Sequence, residues 1–504
     1  MINIKNIILI GALTSKPYAF KARSWELKNV ETIDLFESVC SNIKVDIRGS
    51  EIMRILPVTN EVLNEEWISD KTRFAYDGLK RKRFINPMIK KNDLFIQSSW
   101  TNTFTFLKSV FNNNKFQNLI LNTGNFNDLE QLTIAEKLLN KNKNVFLNNP
   151  KADVDLQQNY TATRNLFKPI GKKIYIIVGS NLRLENPILN IKLKKLSEKN
   201  SILVGYIGPK YESNINMIHL GSNLNVLSNI LQGRHEFSTL ISNFLKTNGK
   251  NFKIKNAFKN NIELIFGSPF LQLKNSSKIL NTFKSIKNNF FTFNTNILES
   301  YSGIINAKEI GLVKTKEFNS NVSNIHYLLN SEITSNIKET DFVIFQGTHN
   351  TKIRHKFNII LPGFTWLEKS ALYLNCFGMV QKSQIVVTPP INARNDWKII
   401  QILDLWYQTS KHKNNYFNDI DQVHVRLNEL SPNLLNSVSD YNRKSQNLNI
   451  NYSKVYNFKN YISSVLFKSY ISDYYQTNSI DKSSKIMFES SQAINKKKNN
   501  FSKN

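Results

Sequence analysis

Short apolar runs of about six residues, each closed by a polar turn with glycine and followed by a helical pattern, recur along the middle of this 504-residue chain. Lys173 to Val178 (KIYIIV) ends in Gly179-Ser180-Asn181, and Ser201 to Ile207 (SILVGYI) ends in Gly208-Pro209. Asn261 to Phe266 ends in Gly267-Ser268-Pro269, and Asp341 to Gln346 (DFVIFQ) ends in Gly347-Thr348-His349. Phe116 to Leu121 and Ile325 to Leu329 have the same character. Helical spacing is expected over Asn102 to Val110, Leu129 to Leu139, Ile188 to Leu196, Leu224 to Leu231, Glu236 to Leu245, beyond Pro269 as far as Ile286, and from Asp396 to Leu405. Strands apolar on both faces, alternating with helices, predict an α/β fold of mainly parallel sheets with helices on both faces.

Such sheets bind ligands at the carboxyl ends of their strands. Those ends read VGSN, IGP, FGSP and QGTH. None is a GxGxxG opening a helix, and no GxxxxGK[ST] occurs, so a nucleotide site has support from the fold and none from a motif.

Two regions depart from the rhythm. Thr32 to Leu56 reads as a β meander: Ile43, Val45 and Ile47 alternate with polar residues, Arg48-Gly49-Ser50 turns, and Ile52 to Leu56 returns. Next comes Asn64 to Arg83, NEEWISDKTRFAYDGLKRKR, in which Trp67, Phe74 and Tyr76 stand among carboxylates and cations. A solvated helix has no use for three aromatics, and a buried one tolerates such charge only when it is paired. The stretch reads as a junction that anchors the meander by its aromatics and pairs Lys71, Arg73 and Asp77 within it. A short strand is expected at Ile385 to Val387 and a frayed end from Lys496.

The formal net charge is +29, from 67 Lys+Arg against 38 Asp+Glu, which points to anionic surroundings. Lysine is spread along the whole chain rather than gathered on one arm, which argues against a nucleic-acid binder. Two cysteines, Cys40 and Cys376, are too few for a disulfide scaffold or a cysteine-ligated cluster, and read as buried small hydrophobes in a reducing compartment. The seven histidines form no HExxH or H-x3-H pair, so no metal site is expected. No run reaches the roughly 18 apolar residues of a membrane span, and Ile7 to Leu13 reads as a packed segment. His349 reads as a hydrogen-bonding turn residue, Trp397 as a packing anchor, and Arg183 with Glu185 as a candidate pair.

Eight collinear segments resemble the large iron–sulfur subunit of respiratory complex I, NADH:ubiquinone oxidoreductase. They are Gly11 to Asp34, Ser41 to Pro57, Asn64 to Arg81, Gly179 to Lys195, Phe345 to Asn350, Ile360 to Asn375, Val386 to Ile400 and Tyr474 to Met487. WISDKTRFAYDGL is the most specific of them. The resemblance is to the part that follows the subunit's cluster-binding domains. It implies a molybdopterin-oxidoreductase-like α/β fold: a small β-rich N-terminal module followed by mainly parallel α/β sheets. The implied divisions are 1–20, the remnant of a cluster-domain boundary; 21–90, the β-rich module; 91–405, the body; and 406–504, a C-terminal extension.

The resemblance also implies a structural and assembly role in the peripheral arm of complex I, on the matrix side of the mitochondrial inner membrane. The chain would support electron transfer from NADH to ubiquinone without a redox centre or catalytic residue of its own. The alternatives are a stand-alone pterin- or nucleotide-dependent oxidoreductase and, third, a basic nucleic-acid-binding protein. Where the family places a cluster-ligating cysteine before Gly11, this chain has Ile8, which has no lone pair for iron. The expectation is therefore that the chain binds no cofactor or metal. Iron–sulfur clusters would be carried by a separate N-terminal partner chain, the product of a split gene. Asn375-Cys376-Phe377-Gly378-Met379 stands where the family has Asn-x-Glu-Gly-Arg, which removes a carboxylate and a guanidinium suited to phosphate.

Overall fold

The computed structural model describes residues 15–112, 116, 118–141, 145–147, 161–162, 166–167, 172–199, 202–245, 261–273, 276, 279–280, 293–312, 323–332, 337–350, 353–407, 416–435, 466–469 and 471–501. Ile8, the segment Ile7 to Leu13 and the expected helical run as far as Ile286 lie partly or wholly outside them.

The meander is three antiparallel strands, β1 (Lys28–Ile33), β2 (Asn42–Arg48) and β3 (Glu51–Pro57), starting four residues earlier than the alternation suggested. Val30 faces Val45 and Val45 faces Ile55. A register shift after Asp46 leaves Met53 without an opposite residue, so Ile52 and Met53 are both buried. The apolar face packs on Tyr76, Leu79, Trp366, Leu367, Tyr373 and Met487.

β4 (Met88–Lys91) and β5 (Leu94–Gln97) form a hairpin that the sequence reading missed. The body then contributes β6 (Asn118–Thr123), β7 (Val145–Leu147), β8 (Lys173–Val178), β9 (Ile202–Ile207), β10 (Ile218–Gly221), β11 (Ile262–Gly267), β12 (Phe293–Leu298), β13 (Asn324–Leu329), β14 (Phe342–Gly347) and β15 (Ile359–Pro362). β8 to β12 build a five-stranded parallel sheet in the order β10-β9-β8-β11-β12. The remainder form a seven-stranded sheet, β5-β4-β15-β14-β13-β6-β7, parallel except where β4 and β5 join it. The five-stranded sheet is thus inserted in sequence between β7 and β13. β16 (Leu372–Leu374) and β17 (Val380–Lys382) close a small antiparallel hairpin.

The central strands are apolar on both faces because helices cover both. Ile174 to Val178 on β8 are fully buried. Ser99 caps the helix Trp100–Phe111 by accepting from Asn102 N–H, and Phe104, Leu107 and Val110 share its buried face. Ile385 to Val387 is not a strand: Ile385 is exposed, and the N–H groups of Val386 and Val387 both donate to Leu367 O, at 2.8 and 3.1 Å.

Chain order reverses twice. The five-stranded sheet grows outward through β9 and β10, then resumes on the other side of β8 with β11. The seven-stranded sheet does the same around β6, with β7 on one side and β13 on the other. Each reversal opens a crevice at the carboxyl ends of the strands. Two glycines let the loops there close tightly: a side chain at Gly267 would meet Ser180 Cβ at 2.1 Å, and one at Gly124 would meet Asn330 O at 2.0 Å.

Candidate functional site

The crevice beside β8 and β11 is filled by side chains of this chain. The helix Leu182–Glu185 follows β8, and Glu185 turns back to accept from Asn181 N–H at 2.9 Å. Across from it, Ser268 and Ser300 hydroxyls share a bond at 2.8 Å, and Lys308 pairs with Glu299 in a buried contact. The loop after β1 adds Asp34, Glu37 and Ser38; Ser38 Oγ donates to Asn186 Oδ1 at 2.9 Å.

Lys71 stands at the centre of this packing. Ser69 caps the short helix Asp70–Phe74, its hydroxyl accepting from Thr72 N–H at 3.3 Å. Thr72 Oγ1 donates to Asp34 Oδ2 at 2.7 Å. Lys71 is buried, with its ammonium 4.4 Å from the centre of the Tyr474 ring. Burial lowers its pKa, and the charges of Asp481, Glu37, Asp34 and Glu185 act against that.

The carboxylates move the other way. Burial raises Asp34 and Asp481 to about 6 and Glu185 to about 7. Burial, reinforced by the charge of Asp34, raises Glu37 to about 8. Neither carboxylate oxygen of Glu37 has a hydrogen-bond partner among the described residues. One ammonium thus faces four carboxyl groups, which share protons rather than carry four full charges.

Tyr474 and Asp481 arrive from the far end of the chain. Residues Ile471 to Ser483 cross the mouth of the crevice. Asn478 caps the helix Ser479–Ser483 by accepting from Ile480 and Asp481 N–H at 3.0 and 2.9 Å, and Asp481 Oδ2 accepts from Thr477 Oγ1 and Asn478 Nδ2 at 2.7 Å. The helix Lys485–Phe501 is capped by Asp77, whose carboxylate takes the Ser484 hydroxyl and, at 2.9 Å, Lys485 N–H. Between this strap and the carboxyl ends of β6 and β13 lies a cavity of about 340 Å3 lined by Phe126, Tyr301, Asn330, Glu332, Gln476 and Asn478, among others. Gln476 Nε2 is buried there without a hydrogen-bond partner among the described residues.

A second buried network closes the seven-stranded sheet. Lys369 Nζ lies 2.5 Å from both Asp128 Oδ2 and Asp396 Oδ2, and Gln346 donates to Asp396 Oδ1 at 3.0 Å. Burial alone would lower the Lys369 pKa, but the two aspartates hold it well above the ordinary value. Arg83 pairs with Glu368 at 2.5 Å, both largely buried.

The residues singled out from sequence fall mostly within these contacts. Tyr76 and Phe74 pack with the meander, and Trp67 packs against the body, with Lys195 5.7 Å from its ring centre. Asp77 pairs within its own stretch, with Arg81 Nε at 3.9 Å, and also takes Ser484 and Lys485 of the C-terminal segment. Arg73 has the charge of Asp70 of the same stretch beside it. Lys71 instead faces Asp34, Glu37, Glu185, Asp481 and Tyr474, all outside the stretch. His349 is buried and bridges Gly78 O and Leu79 O at 3.0 and 3.1 Å; burial first, then the nearby Arg83, depress its pKa to about 3. Trp397 is buried in the main core. Arg183 and Glu185 do not pair: Arg183 donates to Glu212 O at 3.3 Å. The sequence reading missed Lys369, Asp128, Asp396 and Glu37, whose association depends on contacts distant in sequence.

The crevice does not suit a pterin nucleotide. Such a ligand carries phosphates, and the interior presents Asp34, Glu37, Glu185 and Asp481 in their place. In the Asn375–Met379 turn, Asn375 Oδ1 accepts from Phe377 and Met379 N–H, both at 3.0 Å, and no cation stands in the turn.

The molybdopterin oxidoreductase family model matches residues 83–404. A second model, the NADH-ubiquinone oxidoreductase NDSU1/NuoG-like 4Fe-4S domain, matches residues 27–77. That match corrects the expectation that iron–sulfur binding belongs to a partner chain alone: the β-rich module is itself part of an iron–sulfur domain. Its only thiol is Cys40, fully buried, with a pKa that burial raises well above the ordinary value. Because a tetranuclear cluster takes four thiolates, the residues of this segment do not by themselves make up a ligand set.

Among solved structures, acetylene hydratase from Pelobacter acetylenicus has a similar fold, with a TM-score of 0.50 and 11% identity over 75% of this chain and 69% of that one. The NADH-ubiquinone oxidoreductase 75 kDa subunit of Reclinomonas americana is 33% identical over 96% of this chain and 71% of its own length. The NADH dehydrogenase [ubiquinone] iron-sulfur protein 1 of Solanum tuberosum is 31% identical over 98% and 65%, and the 78 kDa subunit of Candida albicans is 33% identical over 86% and 59%. The chain therefore spans 59 to 71% of the length of these relatives. With a molybdopterin-oxidoreductase body following an iron–sulfur module, and with 33% identity to a 75 kDa subunit of which it covers 71%, the chain belongs to the family of the 75 kDa subunit of NADH-ubiquinone oxidoreductase.

Proposed function

We propose that this chain works as a subunit of NADH:ubiquinone oxidoreductase, in the peripheral arm on the matrix side of the mitochondrial inner membrane. There it holds other subunits in place while electrons pass from NADH to ubiquinone. One observation carries the reading: the crevice that this fold uses for ligands is packed with the chain's own buried charged side chains and crossed by its own C-terminal strap. A body closed in this way serves as a scaffold, and no side chain in it is assigned a catalytic role. The divisions at residues 20, 90 and 405 belong to the same proposal. No helix among the described residues is long and apolar enough to cross a membrane, which suits a peripheral position.

The iron–sulfur domain is shared, in this reading, with a separate N-terminal polypeptide. The single thiol in residues 27–77 supports that, since further ligands have to come from elsewhere. Native electrophoresis of membranes from the source cells, with mass spectrometry of the band that oxidises NADH, tests the proposal. Peptides of this chain and of a distinct cysteine-rich polypeptide are expected together in that band. A band that oxidises NADH and reduces ubiquinone without this chain would refute it.

A further inference from the structure

The edge of the seven-stranded sheet at β5 combines three features. The first is hydrogen-bonding capacity. β4 and β5 join through Asn92 and Asp93, both at positive φ, with Lys91 opposite Leu94 and Ile89 opposite Ile96. In a two-residue hairpin of this register, Leu94 and Ile96 direct their backbone groups at β4, while Phe95 and Gln97 direct theirs outward. No described residue pairs with them there, since β5 is the last strand of the sheet.

The second is exposed apolar surface. Leu94 is 72% and Ile96 50% exposed. From Gln97, whose side chain lies on the other face of the strand, a ladder of amides runs on: Asn86 Nδ2 donates to Gln97 Oε1 at 3.1 Å, Asn392 Nδ2 to Asn86 Oδ1 at 2.6 Å, and Trp100 Nε1 to Asn392 O at 2.7 Å. Ile85 and Ile391, next to Asn86 and Asn392 in sequence, are exposed as well, the latter 91%. Edge strands that remain free in solution are usually guarded by charge, proline or a bulge, and Leu94–Gln97 has none of these within it.

The third is charge. Lys80, Lys82 and Lys91 are exposed and make no ion pair among the described residues, and the first two lead directly into Ile85.

We propose that β5 is a docking edge for an extended segment of another polypeptide, which adds to the sheet as a further strand. The unpaired backbone groups select an extended chain, because a folded apolar surface would bury Phe95 and Gln97 amides unsatisfied. The exposed aliphatic residues select alternating apolar side chains on that segment, and the lysines select acidic residues flanking it.

The test is hydrogen exchange at the Phe95 and Gln97 amides, measured in the assembly isolated from source membranes and in the isolated chain. Exchange at both is expected to slow at least tenfold in the assembly. The double variant Leu94→Lys with Ile96→Lys should abolish that protection while leaving the thermal midpoint of the isolated chain unchanged. A photo-crosslinker in place of Leu94 should join an acidic segment of a different polypeptide. Equal exchange in both states would overturn the proposal. So would protection that appears in the isolated chain and grows with its concentration, which would assign the edge to a second copy. If the assembly lacks NADH-oxidising subunits while the two amides are protected, the proposed function fails and the docking edge stands.

Discussion

Lys71 and Lys369 are both buried lysines, and their surroundings act on them in opposite directions. Lys369 touches two carboxylates directly, Asp128 and Asp396, each at 2.5 Å, and its pKa is driven well up. Lys71 lies against a tyrosine ring among four carboxyl groups whose own pKa values are raised, and its pKa is driven down. The first arrangement is a fixed ionic strut between the loop after β6, the loop after β15 and the start of the helix Asp396–Tyr407. The second joins four separate parts of the chain (the loop after β1, the Asn64–Arg83 stretch, the helix after β8 and the C-terminal strap) and can redistribute protons when a member is lost. Burial is the same in the two cases; contact geometry decides the sign.

Removing each lysine should separate these two behaviours. Lys369→Ala leaves two aspartates buried without a counter-charge, and a loss of about 3–5 kcal/mol is expected at pH 7. Urea unfolding measures it, and a loss below about 1 kcal/mol would mean that the strut is solvated. Lys71→Met keeps the volume and lets the surrounding carboxyl groups hold protons. The expected loss is on the order of 1 kcal/mol at neutral pH, shrinking toward pH 5. If Lys71→Met proved as damaging as Lys369→Ala, the contrast would collapse.

Proton linkage gives the next effect. Asp34, Asp481, Glu185 and Glu37 have folded pKa values of about 6, 6, 7 and 8, all above the unfolded range near 4. The folded state therefore binds more protons than the unfolded state between about pH 4 and 8. The stability this cluster contributes is full below pH 4 and lost as pH rises through 6 to 8. The slope should be roughly 4 kcal/mol per pH unit near pH 5 to 6, where about three more protons are bound in the folded state, and should fall to roughly 1 near pH 8; Glu37→Gln should flatten it. Unfolding curves at several pH values check this; a cluster contribution that rises with pH would reverse the assignment.

The smallest effect concerns the strap. Asp77→Ala removes the cap of the helix Lys485–Phe501 and should cost about 0.5–2 kcal/mol. Limited proteolysis should then cut the C-terminal segment sooner, with the meander intact; unchanged cleavage would show that packing alone holds the helix.

Much of the body was legible because central parallel strands must be apolar on both faces, as KIYIIV and DFVIFQ are. β12 was missed because Asn294 and Asn296 interrupt its pattern. They donate to Glu263 at 3.0 and 2.8 Å, and Lys173 pairs with the same carboxylate at 2.9 Å, so a polar rung crosses three strands. Glu263 is the residue that makes those asparagines fit, and no local period reveals it. The same limit applies to the junction. Its aromatics announce burial, but Asp77 and Ser484 are 407 positions apart, and Lys71 and Tyr474 are almost as far. The cysteine shortage was legible as well. The conclusion drawn from it, that iron–sulfur binding belongs to a partner chain alone, went too far, because residues 27–77 match an iron–sulfur domain as a whole segment rather than by their thiols.

The central claim is that the C-terminal strap seals the crevice and so makes the body a rigid scaffold. Removing residues 471–504 in the source cells tests it most directly, with the amount of truncated chain in the NADH-oxidising band as the readout. The account predicts at least a fivefold drop relative to the intact chain. A truncated chain that accumulates normally in that band, with full electron transfer to ubiquinone, would contradict it.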